Sequence, residues 1–237
     1  MIAIVGSGNV ATNLYKALSP HKEVTLVNPH TLANLPQKAE IIILCVSDNA
    51  ISEVANNIGH TEALIAHTSG SVSIQSLENV SEKIGVLYPL QTFTKEDSLN
   101  YKEIPVFIEG NSDDTVKDLK KLASVFSEDI READSETRRQ LHLASVFACN
   151  FVNALAGISK NILKESNIDF SVLLPLMKQT INKLQYLSPE KAQTGPAVRG
   201  DKNVMETHVK MLEDQPELKN IYTILSDYII NTRNKTI

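Results

Sequence analysis

The sequence predicts an α/β fold: a doubly wound parallel sheet over residues 1–134, followed by an all-helical C-terminal domain over residues 135–237. Three observations carry this reading. Short apolar runs alternate with stretches of helical spacing as far as about residue 110, the pattern of a parallel sheet covered on both faces. The first run, Ile2 to Val5, leads directly into the turn Gly6-Ser7-Gly8. After Ser135 strand-like runs stop and only helical periodicity remains.

Strands are predicted at 2–5, 23–27, 41–46, 63–66, 84–87 and 104–108, with a final edge strand near 130–132. The run from Ile41 to Val46 is apolar without alternation, as a central strand buried on both faces requires. Helices are predicted at 9–18, 49–58 and 112–126, the last capped by Asn111 or Ser112. In the first of them Val10, Leu14 and Leu18 have helical spacing, and Pro20 ends it. In the second half one long helix covers 136–164. Three more cover 169–187, 201–213 and 216–231, with Asp169 and Asp201 as N-caps. Pro189, Gly195, Pro196 and Gly200 mark the irregular stretch between the second and third of these.

A chain of 237 residues, 42% hydrophobic, can bury a sizeable core. Its net charge of −5, with no basic block, argues against nucleic acid or an anionic membrane as main partner. No apolar stretch approaches the ~20 residues that span a bilayer, and glycines interrupt the first run where a signal peptide would be continuous. Cys45 and Cys149 lie in apolar segments, which points to buried thiols in a reducing cytoplasm. No CxxC or HExxH spacing occurs and the six histidines are scattered, so no metal site is predicted.

The opening segment, Gly6-Ser7-Gly8-Asn9-Val10-Ala11, is a Rossmann-like dinucleotide-binding fingerprint. Glycines allow a tight turn and a close approach to a pyrophosphate, which the N-terminus of the following helix attracts. In NAD sites an acidic residue about 20 positions later bonds the ribose 2′-hydroxyl. Here the second strand ends Val27-Asn28-Pro29-His30-Thr31, without that carboxylate. Asn28 and Thr31 could donate to a 2′-phosphate, so NADP is favoured over NAD. Asn28-Pro29 is equally good turn chemistry.

Three polar loops follow strands, where ligands bind in such sheets. Val46-Ser47-Asp48-Asn49 would pass the ribose and nicotinamide, unless Asp48 simply caps the next helix. His67-Thr68-Ser69-Gly70-Ser71 is dense in hydroxyls and suits a small substrate, or is a serine-glycine turn. Tyr88-Pro89-Leu90-Gln91-Thr92 places a proline after an apolar strand, where it could rigidify a pocket wall around Gln91.

The long helix is apolar on nearly every face and reads as a buried spine, yet it carries His142, Ser145, Asn150 and Asn153. Buried polar groups need partners, in the protein or in a ligand. His142 and Asn153 point within about 20° of one another but lie about 16 Å apart along the axis, too far to touch one reacting carbon. Arg199, in the stretch Thr194 to Asp201, could clamp a substrate carboxylate or pair with Asp201.

Taken together, Gly-Ser-Gly-Asn-Val-Ala, His-Thr-Ser-Gly-Ser, Tyr-Pro-Leu-Gln-Thr-Phe, Leu-His-Leu-Ala-Ser-Val-Phe-Ala-Cys-Asn-Phe and Thr-Gly-Pro-Ala-Val-Arg-Gly-Asp resemble a bacterial family of generically labelled NADP oxidoreductases. The resemblance spans nearly the whole chain. It implies kinship with the 6-phosphogluconate dehydrogenase-like superfamily, including 3-hydroxyisobutyrate dehydrogenase, pyrroline-5-carboxylate reductase and ketopantoate reductase. Some members are linked to ketopantoate reduction. The hydroxyacid dehydrogenases of that group place a Lys and an Asn four residues apart on this helix. Here Val146 precedes Asn150 and Cys149 precedes Asn153 at that spacing.

The resulting expectation is an NADPH-dependent reductase that passes a hydride to a carbonyl of a small carboxylate-bearing substrate, ketopantoate first. His142 would be the acid, Asn150 or Asn153 the polariser, and Arg199 the carboxylate anchor. His67, Thr68, Ser69 and Gln91 would contact the substrate. The alternatives are a pyrroline-5-carboxylate reductase, a deazaflavin-linked NADP oxidoreductase, or a sensor or scaffold that binds NADP without turnover. Apolar positions such as Val172, Leu173, Leu176 and Leu184 exceed what one neighbouring helix covers, so a homodimer through the helical domain is expected.

Overall fold

A computed structural model describes residues 1–96 and 98–235 of the chain. Seven strands, β1 (Ile2–Val5), β2 (Val24–Val27), β3 (Ile41–Leu44), β4 (Leu64–His67), β5 (Ile84–Pro89), β6 (Val106–Gly110) and β7 (Ile130–Glu132), form one sheet. Their order is β2-β1-β3-β4-β5-β6-β7. The first five are parallel, whereas β6 runs antiparallel to β5 and β7 parallel to β6. The sheet is therefore mostly parallel. The reversal has a local cause: among its described residues the β5–β6 connection contains a single helical turn, Tyr101–Glu103, and no crossover helix to carry the chain back.

Successive side chains on a strand face opposite ways. Ala3, Val5, Ile42, Leu44, Ile65 and Val86 fall on one face of the sheet, against α2 (Ile51–Ile58) and Leu77. Ile2, Ile4, Ile43, Leu64 and Leu87 fall on the other, against α1 (Asn9–Leu18) and α3 (Asp113–Ala123). Each fully buried Leu or Ile contributes roughly 1.5–3 kcal/mol. Ser112 caps α3, its Oγ accepting the Thr115 N–H at 3.2 Å. Chain order reverses between β1 and β3, which makes the loops beyond their carboxyl ends the expected ligand crevice.

The chain divides into two compact units, Met1–Phe151 and Val152–Ile237. The boundary falls later than the predicted 134/135 because the start of the long helix belongs to the sheet. In α4 (Ser135–Ser145) Arg138 is fully buried and bonded to Glu109 of β6. A π turn, Val146–Asn150, joins α4 to α5 (Phe151–Lys164).

The second unit is all helical: α5, α6 (Leu174–Lys183), α7 (Pro189–Ala192), α8 (Pro196–Arg199), α9 (Lys202–Met211) and α10 (Pro216–Lys235). Asp169 caps the turn that opens the predicted 169–187 segment, its carboxylate accepting the Ser171 N–H at 2.8 Å. Asp201 stands at the N-cap of α9, as expected, but makes no capping hydrogen bond with its side chain. His208 Nδ1 meets Tyr222 Oη at 2.9 Å, tying α9 to α10.

Two expectations are corrected here. The long helix is not buried, since Leu143 is 61% and Phe147 63% exposed. Ser135–Lys164 also contains an 18-residue window of mean hydropathy 1.6, so by length and composition it matches a bilayer-spanning helix. Most of its polar residues gather toward the two ends, so the apolar middle from Leu141 to Ile158 keeps that average high. In the second unit Ala197 alone is buried among the described residues, while Leu176, Ile224 and Tyr228 stand largely exposed.

Candidate functional site

At the end of β1 the chain turns through Gly6, at φ +154°, where a Cβ would sit 2.3 Å from the Cys45 carbonyl oxygen. No larger residue fits so close to the end of β3. Gly8 precedes α1, and a Cβ there would meet nothing within 4 Å. No side chain caps α1 and no acid lies in its first turn. Helix N-termini leave their first N–H groups without intrahelical partners. This cradle fits a dinucleotide pyrophosphate: bare amides, positive dipole end, and room where Gly8 lacks a side chain. Ala11 is fully buried, and its small size lets α1 pack closely on the sheet.

Two clefts flank the cradle. The smaller, about 380 Å³, includes Ser7, Gly8, Pro29, His30, Val46, Ser47 and Glu53. The larger, about 730 Å³, includes Asn9, Val10, Val46, Asp48, Thr68, Ser69, Gly70, Tyr88, Gln91, His142, Ser145, Cys149 and Asn150. They meet at Val46. Such a pair of cavities suits the adenosine and nicotinamide halves of a dinucleotide, with a substrate beside the second.

In the larger cleft Tyr88, at the end of β5, and His142, on α4, close over the turn that follows β4. Tyr88 Oη lies 3.3 Å from His142 Nδ1. A Cβ on Gly70 would fall 2.8 Å from both Tyr88 Cζ and His142 Nδ1, so glycine is what lets the three groups meet. Burial raises the Tyr88 pKa, partly offset by Ser145 and Arg138. Ser145 Oγ donates to the His142 carbonyl at 2.7 Å.

The turn itself is braced from behind. Arg138 Nη1 donates to the Ser69 and Val72 carbonyls at 2.8 Å each, and Nη2 to Glu109 Oε2 at 2.6 Å. Ser135 completes the cluster, its Oγ donating to Glu109 at 2.8 Å and accepting from Arg138 Nη2 at 3.0 Å.

The π turn decides what Asn150 faces. In a regular helix Asn150 would lie about 80° round from His142. A π turn takes one extra residue, so Asn150 occupies the direction residue 149 would have had, about 20° from His142. Both line the cleft.

Other predicted positions are placed differently. Asn9 spends its amide on the Phe93 carbonyl at 2.8 Å. Asn28 Oδ1 accepts the His30 N–H at 2.9 Å, which is turn chemistry; Pro29 and His30, but neither Asn28 nor Thr31, line the smaller cleft. Thr68, Ser69 and Gln91 line the larger cleft, and Ser69 Oγ accepts the N–H groups of Ser71 and Val72 at 3.0 Å each.

His67 is fully buried within β4 and does not line the cleft. Its Nδ1 accepts the Ser69 N–H at 3.2 Å, while Nε2 has no hydrogen bond of normal geometry although the Ser73 backbone is nearby. Burial, and then the Arg138 charge, lower its pKa to about 4. Asn153 belongs to the second unit. There Arg199 is held by Asp201, through Nε at 2.9 Å and Nη2 at 2.8 Å. Of the cysteines, Cys45 is buried, with its thiol pushed up to about 12 by desolvation, but Cys149 is half-exposed.

Tyr88 and Gly70 lie in loops the sequence singles out but receive no role there, and Arg138 escapes the sequence reading altogether. Tyr88 ends an apolar strand just before a proline, and Arg138 stands one helical turn before His142, on the same face. Those signals are visible only once the sheet end and the helix are known to meet.

The chain is 38% identical to a Bacteroides fragilis protein provisionally named an NADP oxidoreductase, covering 97% of each chain with a TM-score of 0.91. A Thermotoga maritima protein of no stated activity is 23% identical, covers 100% of this chain and 99% of its own, and has a TM-score of 0.75. A reductive aminase from Aspergillus terreus, solved with NADPH and ethyl levulinate, shares the fold at 14% identity, 98% and 93% coverage and a TM-score of 0.72. Among functionally curated proteins none matches. Residues 104–229 match a family described as a domain of unknown function, DUF2520, and the chain belongs to that family.

Proposed function

We propose that this protein is an NADPH-dependent oxidoreductase that reduces a carbonyl or imine carbon of a small substrate. The observation that carries the reading is the uncapped Gly6–Gly8 cradle opening onto the cleft that holds Tyr88 and His142. The provisional name of the Bacteroides fragilis relative supports it. The bound coenzyme would supply the hydride. Gly6, Ser7, Gly8 and the first turn of α1 would hold its pyrophosphate, and Val46 and Ser47 would pass beneath its ribose. Thr68, Ser69 and Gln91 would orient the acceptor. The residues at the smaller cleft include no carboxylate at the end of β2, which supports NADP over NAD; Glu53 stands farther along, on α2.

Ketopantoate is the first acceptor to test. A second reading is favoured by the cleft's own composition: among its described lining residues there is no Lys or Arg, and Asp48 contributes a carboxyl group. That supports an uncharged or iminium acceptor over a carboxylate. Pyrroline-5-carboxylate reductases share this fold at 14% identity, so cyclic imines with and without a carboxylate complete the panel. Calorimetry with NADPH and NADH, then coenzyme oxidation with these acceptors, is the test. Binding of neither coenzyme refutes the proposal. Binding of NADPH without turnover of any acceptor favours the sensor or scaffold.

The exposed apolar faces of the second unit support a homodimer, with a second copy covering residues such as Leu176 and Ile224. Light scattering that returns one chain's mass at micromolar concentration refutes it. The two thiols are free, which supports a reducing cytoplasm.

A further inference from the structure

Reduction of a C=O or C=N bond needs a proton as well as a hydride, and the source of that proton can be argued from the larger cleft. Its titratable lining groups, among the described residues, are Asp48, Tyr88, His142 and Cys149. Asp48 and Cys149 have no hydrogen bond to either of the other two, whereas Tyr88 and His142 form a pair at 3.3 Å. The tyrosine ring is fixed on three sides. Phe107 lies at 6.5 Å and His142 at 6.3 Å between ring centroids, and Gly70 leaves no space for a side chain against Cζ. A phenol held this firmly delivers its O–H in one direction. It can also accept a hydrogen bond from an imidazole N–H while donating its own proton elsewhere.

Resting on the reductase reading, we propose that Tyr88 is the catalytic proton donor at the reacting heteroatom, and that His142 is the positioning residue that reprotonates it through Nδ1. When hydride adds to the acceptor carbon, the π pair moves onto oxygen or nitrogen, which takes the Tyr88 proton. The phenolate then takes the Nδ1 proton of His142, and the ring recovers one from solvent. One hydride and one proton have added across the double bond. Tyr88 carries its proton at neutral pH, as a donor must, and burial raises its pKa further, so the charge developing on the heteroatom is what draws the proton off. The charged groups acting on Tyr88 are Arg138 on α4 and Asp48 beyond β3.

The test uses Tyr88→Phe and His142→Gln in the full chain, with NADPH and the panel of ketopantoate and cyclic imines. NADPH affinity by calorimetry should stay within about twofold of wild type in both variants. Tyr88→Phe should lower kcat about 10²–10⁴-fold, the usual worth of a general acid. His142→Gln should lose less and flatten the pH profile. A substrate-independent measurement runs alongside: the ultraviolet difference titration of wild type against Tyr88→Phe reports this one phenol. Its midpoint should lie above the ordinary value near 10 and should move in the His142→Gln background. Tyr88→Phe turning over at the wild-type rate overturns the proposal, as does an ordinary midpoint indifferent to His142. If NADPH does not bind at all, the reductase reading fails, and the inference with it. If NADPH binds but no acceptor is reduced, the sensor or scaffold is favoured and the proton-donor role falls with the reductase reading.

Discussion

Replacing Arg138 with Met keeps much of the side-chain volume and removes the charge. The guanidinium is wholly buried, and Glu109, its partner at 2.6 Å, is 15% exposed. Removing one member of a buried pair leaves the other uncompensated, at a cost of about 3–5 kcal/mol. Ser135 moderates the loss, because its N–H and Oγ still donate to Glu109. The Ser69 and Val72 carbonyls lose their shared donor, which works the other way. The expected loss therefore stays about 3–5 kcal/mol, which for a unit of this size lowers Tm by roughly 6–20 °C. Urea denaturation followed by circular dichroism measures it. Glu109→Gln in the Arg138→Met background should restore part of the stability, because no unpaired carboxylate then remains. A loss below about 1 kcal/mol, or a double variant no better than the single, refutes the claim that this buried pair braces the 69–72 turn.

Three further outcomes are expected. Gly6→Ala drives a methyl onto the Cys45 carbonyl at 2.3 Å, so NADPH affinity by calorimetry should fall at least tenfold, and wild-type affinity would remove the cradle from the reading. A thiol reagent at pH 8 should label Cys149 promptly and leave Cys45 silent until the protein is unfolded, since the Cys45 thiol is buried and pushed up to about 12. His67 has a folded pKa of about 4 against the ordinary 6.5, so the unfolded chain takes up its proton first as pH falls. Stability is then lost between pH 6.5 and 4, by about 3 kcal/mol, and no further on this account below pH 4. Urea midpoints across that window should show the slope in wild type and a shallower one in His67→Asn.

Much of the first unit can be read from its residues because apolar runs without alternation allow few other fates. Ile41 to Leu44 must be covered on both sides, and Gly6 must stand where two strand ends nearly touch. What cannot be read is set by groups distant in the chain. The reversal of β6 depends on the lack of a crossover helix among the described residues between 90 and 105, a region rich in polar residues that gives no periodic signal. His67 looks like a loop residue, but the β4 ladder extends through it and buries it. Arg199 offers the same guanidinium to a substrate or to Asp201, and only the local backbone brings the latter within 3 Å. The π turn is invisible in composition, yet it determines whether Asn150 shares a face with His142.

The segment after β5 is attached to α1 through main-chain carbonyls: Asn9 holds Phe93 at 2.8 Å, Asn13 holds Thr94 at 2.8 Å and Lys16 holds Lys95 at 2.6 Å. None of these fastenings consults the identity of the side chain it secures. The anchors at Phe93 and Lys95 therefore do not depend on those side chains, while Gln91, Thr92 and Phe93 form part of the cavity wall. A change at Gln91 or Phe93 therefore reshapes the cavity wall and leaves the frame beneath it intact.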